Sequence, residues 1–165
     1  MPAKSSRPVP AGGSTWSRRR TAPGAACAPP FGSPMLHHIS LGACDIERAA
    51  TFYDAALRPL GYVRVWTDLR PGEQEQAVGY GPPGAGDRLA IKQVSSPLPW
   101  VPGFHVAFSA PSRASVDAFH AAALAAGGVD NGRPGLRPDY GEHYYAAFVM
   151  DPEGHRLEAV CRTSE

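Results

Sequence analysis

The chain has 165 residues, 43% of them apolar, and a formal net charge of +1 at pH 7. That size allows one domain, or two small fused halves, around a real core, and without a run of 18 apolar residues no helical membrane span is expected. Residues 1–34 hold five basic residues and no acidic one. The remainder is therefore mildly acidic, which argues against a nucleic-acid face. Cys27, Cys44 and Cys161 are odd in number, widely spaced and outside any CxxC pattern. They read as reduced thiols of a cytoplasmic protein, neither a disulfide framework nor a zinc knuckle.

Residues 1–34 contain seven prolines, many Ser, Gly and Ala, and the triplet Arg18-Arg19-Arg20, with no hydrophobic period. Such a composition does not offset its own ordering entropy, so this segment is expected to be disordered. The triplet is not followed by the continuous apolar stretch of an export signal, and Met35 is the natural first residue of the regular part.

From Leu36 the pattern becomes regular. Leu36 to Ala43 reads as a strand, and Asp45 caps a helix whose apolar face is Ile46, Ala49, Ala50, Tyr53 and Leu57, ended by Pro59 and Gly61. Tyr62 to Thr67, Gln76 to Tyr80 and Arg88 to Val94 read as three strands. The order is βαβββ over residues 36–94, followed by a proline-rich linker at 95–102. Residues 103–161 then repeat it. Laying His38 on His105 places Asp45 on Ser112, Phe52 on Phe119, Leu57 on Leu124 and Gly61 on Gly128, all at one offset, the mark of a duplicated module. Residues 129–143 read as loop-rich with a short strand inside. Tyr144 to Met150 and His155 to Cys161 close the second module as a hairpin around Asp151-Pro152-Glu153-Gly154, which has the chemistry of a type I turn.

On the last strand Arg156, Glu158 and Val160 share one face, and His155, Leu157 and Ala159 the other. Glu158 thus stands among apolar neighbours, and a carboxylate there needs a partner. His38 and His105 occupy the same place in the two modules. His37 has the opposite strand parity, and its counterpart is Phe104. His120 and His155 read as surface or supporting residues.

The chain resembles the vicinal oxygen chelate superfamily, which groups glyoxalases, extradiol dioxygenases, fosfomycin-resistance transferases and bleomycin-resistance proteins. The carriers are His38-Ile-Ser-Leu-Gly-Ala-Cys-Asp45 leading to Ala50-Thr-Phe-Tyr53, then Gly103-Phe-His105-Val-Ala-Phe, and the turn motif Asp151-Pro-Glu-Gly-His-Arg-Leu-Glu158. The resemblance covers residues 35–162 and implies an α+β fold in which two βαβββ modules form a half-open barrel. Carried over by position, its metal ligands fall on His38, His105 and Glu158. Many glyoxalases add a second glutamate in the last strand of the first module, where this chain offers Ala90 or Lys92. Neither ligates at neutral pH.

Two histidines and one carboxylate leave open positions on a divalent ion; Fe, Mn, Zn and Ni are candidates, with Fe or Mn favoured by a nitrogen and oxygen donor set. The resemblance therefore implies a metalloenzyme that chelates adjacent oxygens of a small-molecule substrate, by dioxygenase, lyase, isomerase or transferase chemistry. Glu158 is the expected catalytic carboxylate, with His143, Tyr144 and Tyr145 on the substrate side and Lys92, Tyr140 and Trp66 as binding residues. The alternative is a metal-free, bleomycin-resistance-like protein that sequesters a planar ligand. Exposed sheet edges favour a homodimer.

Overall fold

The computed structural model describes residues 36–96 and 101–164. The expectation of disorder at 1–34 lies outside them, as do residues 97–100 of the linker. The elements are β1 (Ile39–Ala43), α1 (Ile46–Leu57), β2 (Val63–Asp68), β3 (Ala77–Gly81), β4 (Leu89–Gln93), β5 (Val106–Ser109), α2 (Arg113–Ala125), β6 (Val129–Leu136), β7 (Tyr145–Met150) and β8 (Arg156–Cys161). The α+β fold is two βαβββ modules. Their four-stranded sheets have the orders β1-β4-β3-β2 and β5-β8-β7-β6, neither closing into a barrel. β1 runs parallel to β4, and β5 to β8; the other pairs are antiparallel.

Both helices start where the sequence places caps: the Asp45 side chain accepts from the Arg48 N–H, and that of Ser112 from the Ser115 N–H. α1 ends in a 3-10 turn, Arg58–Leu60, and Gly61 leaves it at φ 84°. Each helix lays its apolar stripe on one face of its sheet. Leu41, Val78, Tyr80, Leu89 and Ile91 from the first sheet, and Val106, Ala147, Val149, Leu157 and Ala159 from the second, join the helices in one core. Phe52 and Phe119, the paired ring positions, are fully buried there. Each contributes roughly 1.5–3 kcal/mol of burial. The helices also pack on each other. Both sheets therefore turn their helix faces toward a shared core; their opposite faces are called open faces below.

The turn motif clamps the second module to the first. The Gly154 N–H donates to the Asp151 carbonyl at 3.0 Å, closing the turn. The Asp151 side chain, 3% exposed, accepts from the Tyr53 hydroxyl of α1 at 2.8 Å and from the Glu153 and His155 N–H groups, and its Oδ2 lies 2.8 Å from His155 Nδ1. Burial, then the neighbouring Asp151 carboxylate, push the Tyr53 phenol well above its ordinary range, so it stays a donor. Glu153 meanwhile accepts from the Cys44 N–H at the start of α1 and from Arg48. His155 belongs to this clamp.

One element departs from expectation. The stretch that reads as loop-rich contains an eight-residue edge strand, β6, whose pairing with β7 shifts register twice, between Asp130 and Gly132 and between Gly132 and Gly135. Pro134 and the two glycines, poor strand formers in a sheet interior, are accommodated at an edge with bulges.

Candidate metal and substrate site

Strand parity puts Glu158 on the open face of the second sheet, paired with Ala107 of β5 on one side and Phe148 of β7 on the other. Its side chain is 3% exposed. His105 lies two residues before Ala107, hence on the same face, and its Nε2 is 3.2 Å from Glu158 Oε2. Tyr144, two residues before Ala146, donates its hydroxyl to Glu158 Oε1 at 2.5 Å. The carboxylate is thus held at both oxygens, as a buried charge requires. Burial and the bond to Glu158 push the Tyr144 phenol up to about 12, which keeps it protonated at neutral pH. The Tyr140 ring meets that of Tyr144 edge-on at 5.4 Å and is otherwise exposed.

The first sheet has no acid at the matching place. Ser40 of β1, the counterpart of Ala107, pairs with Ala90, so Ala90 stands where Glu158 stands in the second module. Lys92 pairs with Gly42 one step further along that face. Trp66 pairs with Gly79 and lies over it so closely that a Cβ on Gly79 would sit 2.1 Å from the indole Nε1. Trp66 and Lys92 therefore share the open face of the first module and are not beside Glu158.

His38, immediately before β1, has its Nδ1 2.9 Å from His37 Nδ1. Among the described residues no three His, Cys, Asp or Glu side chains come together as a metal-holding group. His38 thus stands on the open face of the first sheet by strand parity and does not join His105 and Glu158 in such a group.

Tyr145 requires a correction. One residue on from Tyr144, it falls on the helix face, where its hydroxyl donates to Asp117 of α2 at 2.8 Å and Arg113 lies over its ring. It is packing for α2, away from Glu158. His143 is exposed in the turn before β7. Two residues of this face were not singled out by the sequence. Counting the hairpin register back from the turn would have found Phe148; nothing local would have found Arg137, whose guanidinium carbon lies 5.6 Å from the Phe148 ring centroid.

The profile of the Glyoxalase/Bleomycin resistance protein/Dioxygenase superfamily matches residues 35–159. The chain belongs to this superfamily. A glyoxalase/bleomycin resistance protein from Albidiferax ferrireducens T118 is 30% identical to this superfamily member, with a TM-score of 0.64 over 79% of this chain and 100% of that one. A glyoxylase/bleomycin resistance protein/dioxygenase domain from Frankia sp. EAN1pec shares the fold at 18% identity, TM-score 0.60, over 79% of this chain and 99% of its own. A glyoxalase I mutant from Zea mays does so at 21% identity, TM-score 0.58, over 76% of this chain and 45% of its own. No curated protein matches this superfamily member in sequence. Among the described residues, no helix is long and apolar enough to cross a membrane.

Proposed function

We propose that the chain is a divalent-metal-dependent enzyme of the superfamily, acting on a small molecule with two adjacent oxygens, and that it works as a homodimer whose sites are shared between chains. The observation carrying this is the buried Glu158 carboxylate, held by Tyr144 and facing His105 on an otherwise open sheet face. A carboxylate and an imidazole at one point are a donor pair suited to Fe(II), Mn(II) or a similar ion. His38 is the third donor by its module position, and its separation from the pair within one chain calls for a second copy. Two copies related by a twofold axis would set the first open face of each against the second open face of the other, producing two equal sites.

Bound there, the ion would polarise two substrate oxygens and stabilise negative charge on them. The chain's own residues do the rest. Tyr144 keeps its proton and fixes the orientation of Glu158, which leaves Oε2 directed at His105. The His105 ring, about half exposed, is accessible from the open side. Trp66 and Lys92 of the partner's first module would close the other wall, one by apolar area, the other by charge.

Metal analysis combined with mixing of variants tests this reading. The parent protein should hold about one divalent ion per chain. His38→Ala and Glu158→Ala should each lose it, while a mixture of the two, unfolded and refolded together, should recover up to one ion per mixed dimer, because one of its sites has all three donors. Recovery absent from a verified mixed dimer overturns the shared site. A parent protein that takes up no Fe(II), Mn(II), Ni(II) or Zn(II) overturns the metalloenzyme and leaves the metal-free ligand-binding protein.

A further inference from the structure

On the same open face, two strands beyond Glu158, stands a cation held in a defined orientation. The Arg137 guanidinium lies against the Phe148 ring, and Phe148 is the cross-strand partner of Glu158. Main-chain carbonyls hold its fork: Nη2 donates to Arg133 O at 2.7 Å and Nη1 to Leu136 O at 3.2 Å. Its backbone is tied as well, the Arg137 N–H donating to Tyr144 O at 2.7 Å. The strand beneath is cut away to make room, since a Cβ on Gly135 would come within 3.0 Å of Arg137 Nη1, and one on Gly132 within 3.0 Å of the Phe148 ring. Asp130, the acid of this strand, is engaged with His120, the Gly132 N–H and Arg133. Among the described residues Arg137 makes no ion pair.

A guanidinium has five N–H donors, and the two used here leave the rest of the fork available. Holding a long cationic side chain still without a carboxylate partner is costly in entropy, and orientation in advance is what makes a charged site bind well. We infer that Arg137 and Phe148 form the carboxylate subsite of the substrate, so that the molecule carries a carboxylate at one end and its adjacent oxygens at the other. The register separates the two ends by about two strand spacings, on the order of 10 Å. That is the span of a small ring or a short chain. The placement of the oxygens rests on the function proposed above; the carboxylate subsite does not require the metal.

Full-length protein labelled with nitrogen-15 separates the two ideas. The Arg137 Nε–Hε signal, identified by its loss in Arg137→Lys, should move saturably with benzoate and stay in place with benzamide. Benzoate that leaves the signal in place, or benzamide that moves it equally, overturns the subsite whether or not metal is bound. Metal-loaded protein provides the second arm. It should bind 3,4-dihydroxybenzoate about tenfold or more tightly than catechol, and Arg137→Gln should erase that preference at unchanged metal content. A preference that survives in Arg137→Gln overturns the subsite. Failure to take up metal overturns the metalloenzyme alone, and the benzoate arm still decides Arg137.

Discussion

Beneath their helices the two modules are near copies. Phe52 and Phe119 are both fully buried, and Asp45 and Ser112 cap the two helices in the same way. On the open faces the same cross-strand positions hold different chemistry. Ser40 pairs with Ala90 in one module where Ala107 pairs with Glu158 in the other. Along the next strands the contrast becomes an exchange. In the first module Trp66 of β2 lies over Gly79 of β3, whereas in the second Phe148 of β7 lies over Gly132 of β6. The ring and the glycine have traded strands. A shared core constrains shape and volume on both helix faces at once, whereas the open faces lie outside that core and are free to diverge. One face carries Glu158 with Tyr144, and the other carries Trp66 with a lysine.

The sharpest way to break the contrast is to remove its carboxylate. Outer-shell partners of a metal ligand are worth about 10–100-fold in affinity, so Glu158→Ala should exceed that loss, while His37→Ala should leave metal content as it was. The converse change gives the first module an acid. Ala90→Glu should tighten metal binding in the assembled dimer and Lys92→Glu should not, because the β1 and β4 register sets Ala90, and not Lys92, at the counterpart of Glu158. Titration with a competing chelator reads both, and equal effects at positions 90 and 92 would show that the modules are not equivalent in this way.

The clamp between modules is the next largest effect. Asp151→Ala leaves the Tyr53 hydroxyl and two N–H groups without their acceptor in a buried setting. A loss of about 3 kcal/mol or more is expected in urea unfolding; a loss under about 1 kcal/mol would mean that the turn does not join the modules. Gly79→Ala should cost about 1–3 kcal/mol by displacing Trp66, with a change in tryptophan fluorescence as its signature. Gly132→Ala meets the Phe148 ring less tightly but places a side chain at φ 149°, and about 1 kcal/mol is expected. Unchanged fluorescence in Gly79→Ala would break the ring and glycine exchange.

The smallest effect belongs to Asp130, whose carboxyl is held below its ordinary 3.8 by the hydrogen bond to His120 and then that from the Gly132 N–H. A depressed carboxylate stabilises the fold above its unfolded pKa, and the contribution fades as pH falls through the folded value. Asp130→Asn should therefore melt slightly below the parent at neutral pH, and the two melting curves should converge well below pH 3.8. A gap that persists in acid would assign the effect to packing.

Much of this protein was legible in the chain itself. Period and caps specify both helices, the offset between His38 and His105 reveals the duplication, and the turn chemistry of Asp151 to Gly154 fixes the last hairpin, because each signal is local and carried by adjacent residues. Strand parity alone already separated Glu158 from Leu157. Applied strictly, it would also have separated Tyr144 from Tyr145. The remainder depended on relations between distant segments. The choice between Ala90 and Lys92 needed the pairing of β1 with β4, across a glycine-rich loop that conceals register. β6 was hidden because glycine and proline disfavour a strand interior, yet an edge with bulges tolerates them. Arg137 gained meaning only when the fold set it on Phe148. The packing of α1 on α2 is likewise a contact between surfaces that no single stretch of sequence encodes.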